Sequence, residues 1–365
     1  MRPETEAELA EIVAGLNGPV SIAGGGTRGV NGAAPVLSTG ALRGITLYEP
    51  GALTLVAKAG TPVAEIEETL EAEGQQLAFE PADYRGMLGT EGIPTIGGVV
   101  AGNISGPRRI QAGACRDFLL GVRYVDGMGQ VVKNGGRVMK NVTGYDLVKL
   151  LAGSWGTLGV LTEVSLKVLP KPEAVATLAL QVDDAATAVQ ALSRALSSPY
   201  EVSGAAYDPQ AGQALLRVEG FTNSVTYRVK QLKSALPGFD EIVERDSADL
   251  WQGLRDVDAF REHTGDVWRL SVKPTDAPGI LARLNADQAL LDWGGGLIWA
   301  LMPAGADLRA RIGAFEGHAT LIRADAATFE AVGRFQPEAP GIQALTKGLR
   351  QRFDPRGIFN PGLMG

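Results

Sequence analysis

Three glycine-rich clusters hold the residues of this chain with the clearest chemical use. The first, Gly24-Gly25-Gly26-Thr27-Arg28-Gly29, follows directly on the apolar run Val20-Ser21-Ile22-Ala23. The second runs from Thr95-Ile96-Gly97-Gly98 to Gly102-Asn103-Ile104-Ser105-Gly106, with Pro107-Arg108-Arg109 behind it. The third is Gly153-Ser154-Trp155-Gly156-Thr157-Leu158-Gly159. Glycine has no Cβ and allows φ > 0, so its backbone can press against a ligand. Successive N–H groups in such a loop form a concave nest for anions, and the Thr27 hydroxyl adds a donor. The chemistry is the grip of main chain on a ligand, phosphates above all. Gly97 and Gly159 are expected to meet that ligand through bare backbone.

The first hexamer also matches G-x-G-x-x-G, the dinucleotide fingerprint, and Glu49 stands 20 residues beyond Gly29. That fingerprint needs a helix opening at its later glycines, so that the helix N-terminus meets the pyrophosphate. Here the sequel is VNGAAPVLSTG, where Asn31-Gly32 and Pro35 stop any helix. A glycine loop between two strands is expected instead, and a nicotinamide enzyme is disfavoured.

The side chains near these clusters leave several roles open. Arg108 and Arg109 can hold a carboxylate with two hydrogen bonds, bind a phosphate, face a partner or stand as a solvated pair. Lys140 and Asn141 precede Gly144-Tyr145 and can approach a ring or cap a turn. Cys115 is a nucleophile only as thiolate; more often a lone cysteine is a small core residue. Histidine, the usual base for a hydroxyl proton, occurs twice, at His263 and His318, with no HxxxH-type spacing. Tyr145 or Lys140 would serve as a base only with a strongly lowered pKa.

Bulk properties narrow the classes. The 365 residues suit two domains. A net charge of −7 argues against general nucleic-acid binding. One cysteine leaves no internal disulfide, iron–sulfur cluster or Cys-based zinc site. The start, MRPETEAELAEI, lacks an apolar signal core, and no apolar window reads as a span, so a cytoplasmic location is expected.

The elements that must position the clusters can be read from periodicity. Thr5 can cap a helix carrying Leu9, Ile12, Val13 and Leu16. Short strands are expected at 36–38, 45–48 and 53–59, then a helix opened by Thr61-Pro62 with Val63, Ile66 and Leu70 on one face. A hairpin covers 119–126 and 130–133, a short helix 146–151, and Val160 to Leu169 alternates as a strand before Pro170. Residues 175–323 read twice as β-α-β-β-α-β, joined by a helical link over 248–260. Such units can form one antiparallel sheet with helices on one face.

Three motifs in fixed order carry a family resemblance: a strand followed by Gly-Gly-Gly-Thr, a Thr-Ile-Gly-Gly segment, and Gly-Tyr-Asp-Leu with Gly-Ser-Trp-Gly-Thr-Leu-Gly-Val. Residues 1–170 resemble the FAD-binding domain of the vanillyl-alcohol oxidase, or PCMH, type. The closing RFDPRGIFNPG resembles the lactate and glycolate dehydrogenase branch. ISGPRR, CRDFLLGVRYVDGMGQVV and GGRVMKNVTGYDL are most similar to its glycolate oxidase FAD subunits. The resemblance implies an α+β protein with a PCMH-type domain at 1–172. It implies a cap of two ferredoxin-like units forming an antiparallel sheet at 173–340, and a C-terminal return at 341–365.

It further implies FAD held without a covalent link. Gly24, Gly25, Gly26, Thr27 and Arg28 would lie at the pyrophosphate. Ile96, Gly97, Gly98, Gly102 and Asn103 would lie at pyrophosphate and flavin, Gly156, Gly159 and Val160 around adenosine or flavin, and Ser105 and Asn360 would also bind the cofactor. Arg108, Arg109 and Tyr145 are substrate-side candidates. Catalytic relatives carry a histidine pair for a divalent metal, which this chain lacks. The expected function is therefore an FAD-binding subunit of a glycolate oxidase complex, with a catalytic flavin subunit and an iron–sulfur subunit as partners. Its place is cytoplasmic, at the inner face of the membrane through those partners. Two alternatives stand beside it: a stand-alone FAD-dependent glycolate or D-lactate dehydrogenase, and a structural subunit with a vestigial flavin site.

Overall fold

The computed structural model describes residues 1–30, 32, 34–137, 144–242 and 244–364. Lys140 and Asn141 lie outside the described residues. The chain divides into two compact units. The first comprises Met1–Ser105, Gly113–Pro170 and Pro337–Gly365; the second comprises Gly106–Ala112 and Lys171–Gln336.

In the first unit, β1 (Ser21–Ala23) pairs in parallel with β2 (Val36–Ser38). Parallel neighbours need a crossover of about a dozen residues, and the glycine loop 24–29 lies in that connection. A five-stranded sheet follows. It contains β3 (Ile45–Glu49), β4 (Thr54–Lys58), β6 (Leu119–Val125), β7 (Val131–Gly135) and β8 (Val160–Lys167), in the order β3-β4-β8-β6-β7. β5 (Gln75–Gln76) and β9 (Leu169–Pro170) form a small separate antiparallel pair. β8 is central and antiparallel to both neighbours. Val160, Val164 and Leu166 on it are fully buried. The helix Glu6–Gly15 starts where Thr5 accepts a hydrogen bond from the Glu8 N–H, and buries Leu9 and Val13. The helix Val63–Glu71 buries Val63, Ile66 and Leu70, the stripe expected of it.

One departure from expectation matters for the site. The second glycine cluster is a helix, Ile96–Gly102. Glycine is a poor helix former, but the Thr95 hydroxyl accepts from Gly98 N–H at the start, and Asn103 takes a left-handed conformation at the end. Tertiary packing outweighs propensity here, because the small residues let the helix sit tightly on the β4 edge.

The second unit carries an eight-stranded sheet. Its strands are β10 (Ala174–Gln181), β11 (Val202–Asp208), β12 (Gln213–Gly220), β13 (Asp240–Ile242), β14 (Asp266–Val272), β15 (Gln288–Asp292), β16 (Leu297–Met302) and β17 (Gly317–Arg323). The order is β13-β10-β12-β11-β15-β16-β14-β17, antiparallel throughout. Each half has ferredoxin-like order, and the halves meet at β11 and β15 through Tyr207 and Leu291. Alternation splits the sheet faces. Leu178, Leu216, Val218, Trp268, Leu270 and Ile298 join one buried cluster with Leu192, Leu232, Ile280 and Leu308 of the repeat helices. Thr177, Arg217 and Glu219 point the other way, where the link helix Glu244–Asp256 brings Trp251. The Trp251 Nε1–H donates to Thr177 Oγ1 at 2.8 Å.

Candidate functional site: a glycine-built cleft

A cleft of about 800 Å³ lies within the first unit. The first cluster supplies Gly24, Gly25, Gly26, Thr27 and Arg28 to its lining. The Ile96–Gly102 helix supplies Gly97, Gly98 and Ala101, and the third cluster supplies Ser154, Trp155, Gly156 and Gly159. Asn360 closes the ring from the far end of the chain. The three clusters, more than 130 residues apart at their extremes, therefore share one wall.

Among the described residues no hydrogen bond uses the backbone N–H of Gly24, Gly25, Gly26 or Thr27. Those donors suit an anion. Arg28, half-buried, adds the only formal charge among the described lining residues. Its Nη1 donates to Ala82 O at 2.8 Å and its guanidinium lies over the Tyr84 ring, which fixes its direction. Ile22, Val30, Ala59, Ala101 and Leu161 give the lining apolar surface, and Thr39, Thr95, Ser154 and Asn360 add uncharged polar groups. A diphosphate joined to flat ring systems fits this division: donors and one cation in one part, apolar surface beside them.

The glycines earn their places largely against the protein itself. A Cβ on Gly25 would stand 1.7 Å from Ile93 O, and one on Gly24 2.3 Å from Thr95 Oγ1. Gly97, expected to need bare backbone for a ligand, packs on strand β4's end: its Cβ would meet Ala59 Cβ and O at 2.7 Å. Gly159, expected likewise, faces the Tyr124 ring at 2.6 Å. Gly98 differs, since its Cβ would meet nothing nearer than Thr95 Oγ1 at 3.4 Å. Gly26, with φ +71°, has open space beside it.

Two residues hold unusual conformations here. Trp155 has φ +52°, rare for a bulky side chain and a feature of functional sites. It is kept there by its N–H to Ala101 O (2.9 Å) and by Asn360 Nδ2 donating to its carbonyl (2.7 Å). Asn360, at φ +43°, also accepts the Ile22 N–H at 2.7 Å. Its amide thus spans the wall between β1 and the third cluster.

Other expected site residues fall elsewhere. Ile96 and Val160 are fully buried in the core, and neither lines the cleft. Asn103 Oδ1 accepts from Arg116 N–H, and the Ser105 hydroxyl accepts from Cys115 N–H, so both brace the turn after the helix. Gly102 sits in the last turn of that helix, where its absent Cβ would meet the Ile104 side chain. Arg108 and Arg109 belong to the second unit. Arg108 grips Glu219 through Nε–Oε2 at 2.9 Å and Nη2–Oε1 at 2.6 Å, with Arg217 beside them. Burial alone would raise the Glu219 carboxyl; the two arginines and Ser203 hold it down at about 2. Arg109 stacks on Trp293, whose other near cation is Arg269. Tyr145 is 88% exposed.

Burial pushes the Cys115 thiol far above its ordinary value, which makes it an inert core group. His263 lies beside Gln288, and burial followed by Arg269 and Arg109 lowers His318; both are in the second unit. Among the described residues no three His, Cys, Asp or Glu side chains gather as a metal site. Among the lining residues that sequence reasoning missed are Thr39, Ala59 and Leu161, single small or apolar residues within strands or their ends. No motif marks them. Thr95, quoted in a motif, emerges as helix cap and as neighbour of Gly24.

Residues 1–135 match the family model described as FAD binding domain. The chain is 39% identical over 324 residues to the glycolate oxidase subunit GlcE of Escherichia coli, covering 88% of this chain and 85% of that protein. It is 36% identical over 141 residues to the glycolate oxidase subunit GlcD of Bacillus subtilis, covering 39% of this chain and 28% of that one. A D-lactate dehydrogenase of Anaerostipes hadrus is 30% identical over 46% of this chain and 32% of its own length. An alkyldihydroxyacetonephosphate synthase structure shares the fold, with a TM-score of 0.72 at 17% identity over 99% of this chain and 76% of that one. With an FAD binding domain matched over residues 1–135 and that likeness along most of its length, the chain belongs to the family of the glycolate oxidase subunit GlcE, among the FAD-dependent oxidoreductases.

Proposed function

We propose that this chain is the FAD-holding subunit of a glycolate-oxidising complex, and that it works beside a catalytic flavin subunit and an iron–sulfur subunit. The observation that carries this reading is the composition of the cleft. It offers main-chain donors, one arginine and apolar surface, and none of its described lining residues is an Asp, Glu, His, Lys, Cys or Tyr. FAD, when bound, supplies a hydride and electron acceptor. The N–H groups of Gly24 to Thr27 and the Arg28 charge would hold its diphosphate, and the Gly97–Gly98 and Trp155–Gly156 walls would enclose its rings. With no His or Cys in the lining, the flavin stays non-covalent.

Oxidising a 2-hydroxy acid also requires a group to take the hydroxyl proton, worth about 10²–10⁴ in rate. Arg28 is protonated and cannot do so. A partner subunit therefore supplies that base. The first compact unit is read as the FAD domain and residues 171–336 as its cap. No helix among the described residues is long and apolar enough to cross a membrane, so association with the membrane's inner face would run through partners.

Two measurements test this. Acid precipitation of the flavin-loaded protein is expected to leave yellow flavin in the supernatant; colour held in the pellet would refute the non-covalent reading. Anaerobic mixing with excess glycolate, then D-lactate, is expected to leave the flavin oxidised or bleach it very slowly. Bleaching at about 1–10³ s⁻¹, the ordinary enzymatic range, would make the chain a stand-alone dehydrogenase.

A further inference from the structure

Thr27, Thr39, Thr95 and Ser154 bring hydroxyl groups to the cleft. Two of these groups give their protons to the protein. Thr39 Oγ1 donates to Ala23 O at 3.5 Å, and Ser154 Oγ donates to Leu151 O at 2.8 Å. Thr27 makes no side-chain hydrogen bond among the described residues. Thr95 Oγ1 only accepts, from the Gly98 N–H at 3.4 Å. A hydroxyl has one proton to donate, and that of Thr95 meets no acceptor among the described residues. Thr95 is nevertheless 6% exposed. A buried donor left unmade is costly, so this proton asks for an acceptor inside the cleft.

The surroundings hold the Thr95 oxygen in one place. Val63 N–H donates to Pro94 O at 2.9 Å and Ile96 N–H to Thr61 O at 3.0 Å, one on each side of it. Gly97 N–H donates to Ala59 O at 2.8 Å, and Val99 N–H to Thr95 O at 3.0 Å. With Gly98 N–H on Thr95 Oγ1, every N–H of the opening turn of the Ile96–Gly102 helix has a partner within the protein. The second cluster therefore brings no main-chain donor to an anion. What it brings is the Thr95 proton. That hydroxyl stands against the first cluster: a Cβ on Gly24 would lie 2.3 Å from Thr95 Oγ1. The bare Gly24 backbone is what admits it there, beside the unused N–H groups of Gly24 to Thr27.

We infer that Thr95 is a cofactor ligand whose hydroxyl donates to an oxygen of the FAD diphosphate. The cradle is then closed from the second cluster by one side-chain proton, in place of the glycine amides that its Thr-Ile-Gly-Gly sequence suggests. The inference rests on the FAD reading above. An ionised oxygen is the acceptor that suits the site, because O–H donors bind it about twice as strongly as a neutral one. It also lies where the first loop's N–H groups converge on an anion.

The test compares Thr95→Ser, Thr95→Val and Thr95→Asp in the full chain, each reconstituted with FAD. Dissociation constants are read by titration of flavin fluorescence, and the bound diphosphate by phosphorus NMR. Thr95→Ser keeps both the helix cap and the proton and is expected to match the natural protein in both readouts. Thr95→Val keeps the shape and loses the hydroxyl. Its FAD affinity is expected to fall about ten- to hundredfold, as for one hydrogen bond to a charged group, with a shift of a diphosphate phosphorus resonance. Thr95→Asp keeps a good cap and sets a carboxylate against the anion. Its FAD-free form is expected to melt near the natural temperature while its affinity falls further than that of the valine variant. This variant carries the comparison if loss of the cap unfolds Thr95→Val. Valine or aspartate variants that fold and bind FAD like the natural protein would leave Thr95 a helix cap alone, and overturn the inference while the FAD reading stands. Weaker binding by Thr95→Val with unmoved phosphorus resonances puts the hydroxyl away from the diphosphate and overturns it as well. No FAD taken up by the unsubstituted chain overturns both readings.

Discussion

The glycine cleft of the first unit and the polar sheet face of the second both hold charge in partly buried places, with opposite materials. In the cleft the donors are main-chain N–H groups, and side chains are mostly absent. On the sheet face the work falls to Arg108, Arg217, Glu219 and the ring of Trp251. The contrast predicts different failures. A backbone site has nothing to titrate and little to delete, so it is broken by adding atoms. A side-chain site is broken by removing one partner, and it answers to pH.

The largest effect is expected from Gly25→Val, which drives a branched side chain into Ile93 O. The loop must leave its place, at on the order of 4 kcal/mol, and both the melting temperature and the flavin absorbance should fall. A variant that melts normally and stays yellow would mean that the loop's tight contact is dispensable. Next comes Glu219→Ala, which removes the carboxylate shared by two buried guanidinium groups and should cost about 3 kcal/mol while flavin content holds. Glu219 also gives the second unit an acid sensitivity. Its folded pKa of about 2 lies below the ordinary 4.5. The stability it contributes is therefore whole above about pH 4.5 and fades as pH falls toward 2. Urea titrations between pH 5 and 2.5 should show that loss in the natural protein and a flatter profile in Glu219→Gln. Equal slopes would remove Glu219 from the account. The smallest effect on the fold is expected from Gly98→Leu. Its new side chain enters the cleft, leucine suits a helix better than glycine, and stability should stay within about 1 kcal/mol. Flavin affinity should drop roughly ten- to hundredfold, the cost of overfilling a packed site by about 1–3 kcal/mol. Intact affinity would move the ligand away from that helix.

How much of this was legible in the sequence follows the same division. The cleft's first and third clusters were readable because glycine is conspicuous and its missing side chain has a physical use. The two ferredoxin-like halves were readable because strands and helices keep distinct periods over twelve elements. The helix at Ile96–Gly102 was not, since glycine argues against helix locally and the compensation comes from Thr95 and Ala59, a cap and a distant strand end. Nor was the role of Arg108. It stands in sequence beside the second glycine cluster, yet its partner Glu219 is 111 residues away, and only the sheet's alternation puts that carboxylate in reach. Gly97 and Gly159, expected to press bare backbone on a ligand, line the cleft, while Ala59 and Tyr124 occupy the space their side chains would take. Sequence reports that a side chain is missing and is silent about which neighbour occupies its space.

Asn360 joins Ile22 to Trp155, and Phe359 pairs beside Val20. In time rather than space, this brace is synthesised more than three hundred residues after the strand it secures. During translation β1 and the glycine loop leave the ribosome early and wait, and the wall they share with Trp155 closes only when the segment after Phe353 arrives. A nascent chain arrested before Asn360 would hold all three glycine clusters and lack the amide that ties Ile22 to Trp155.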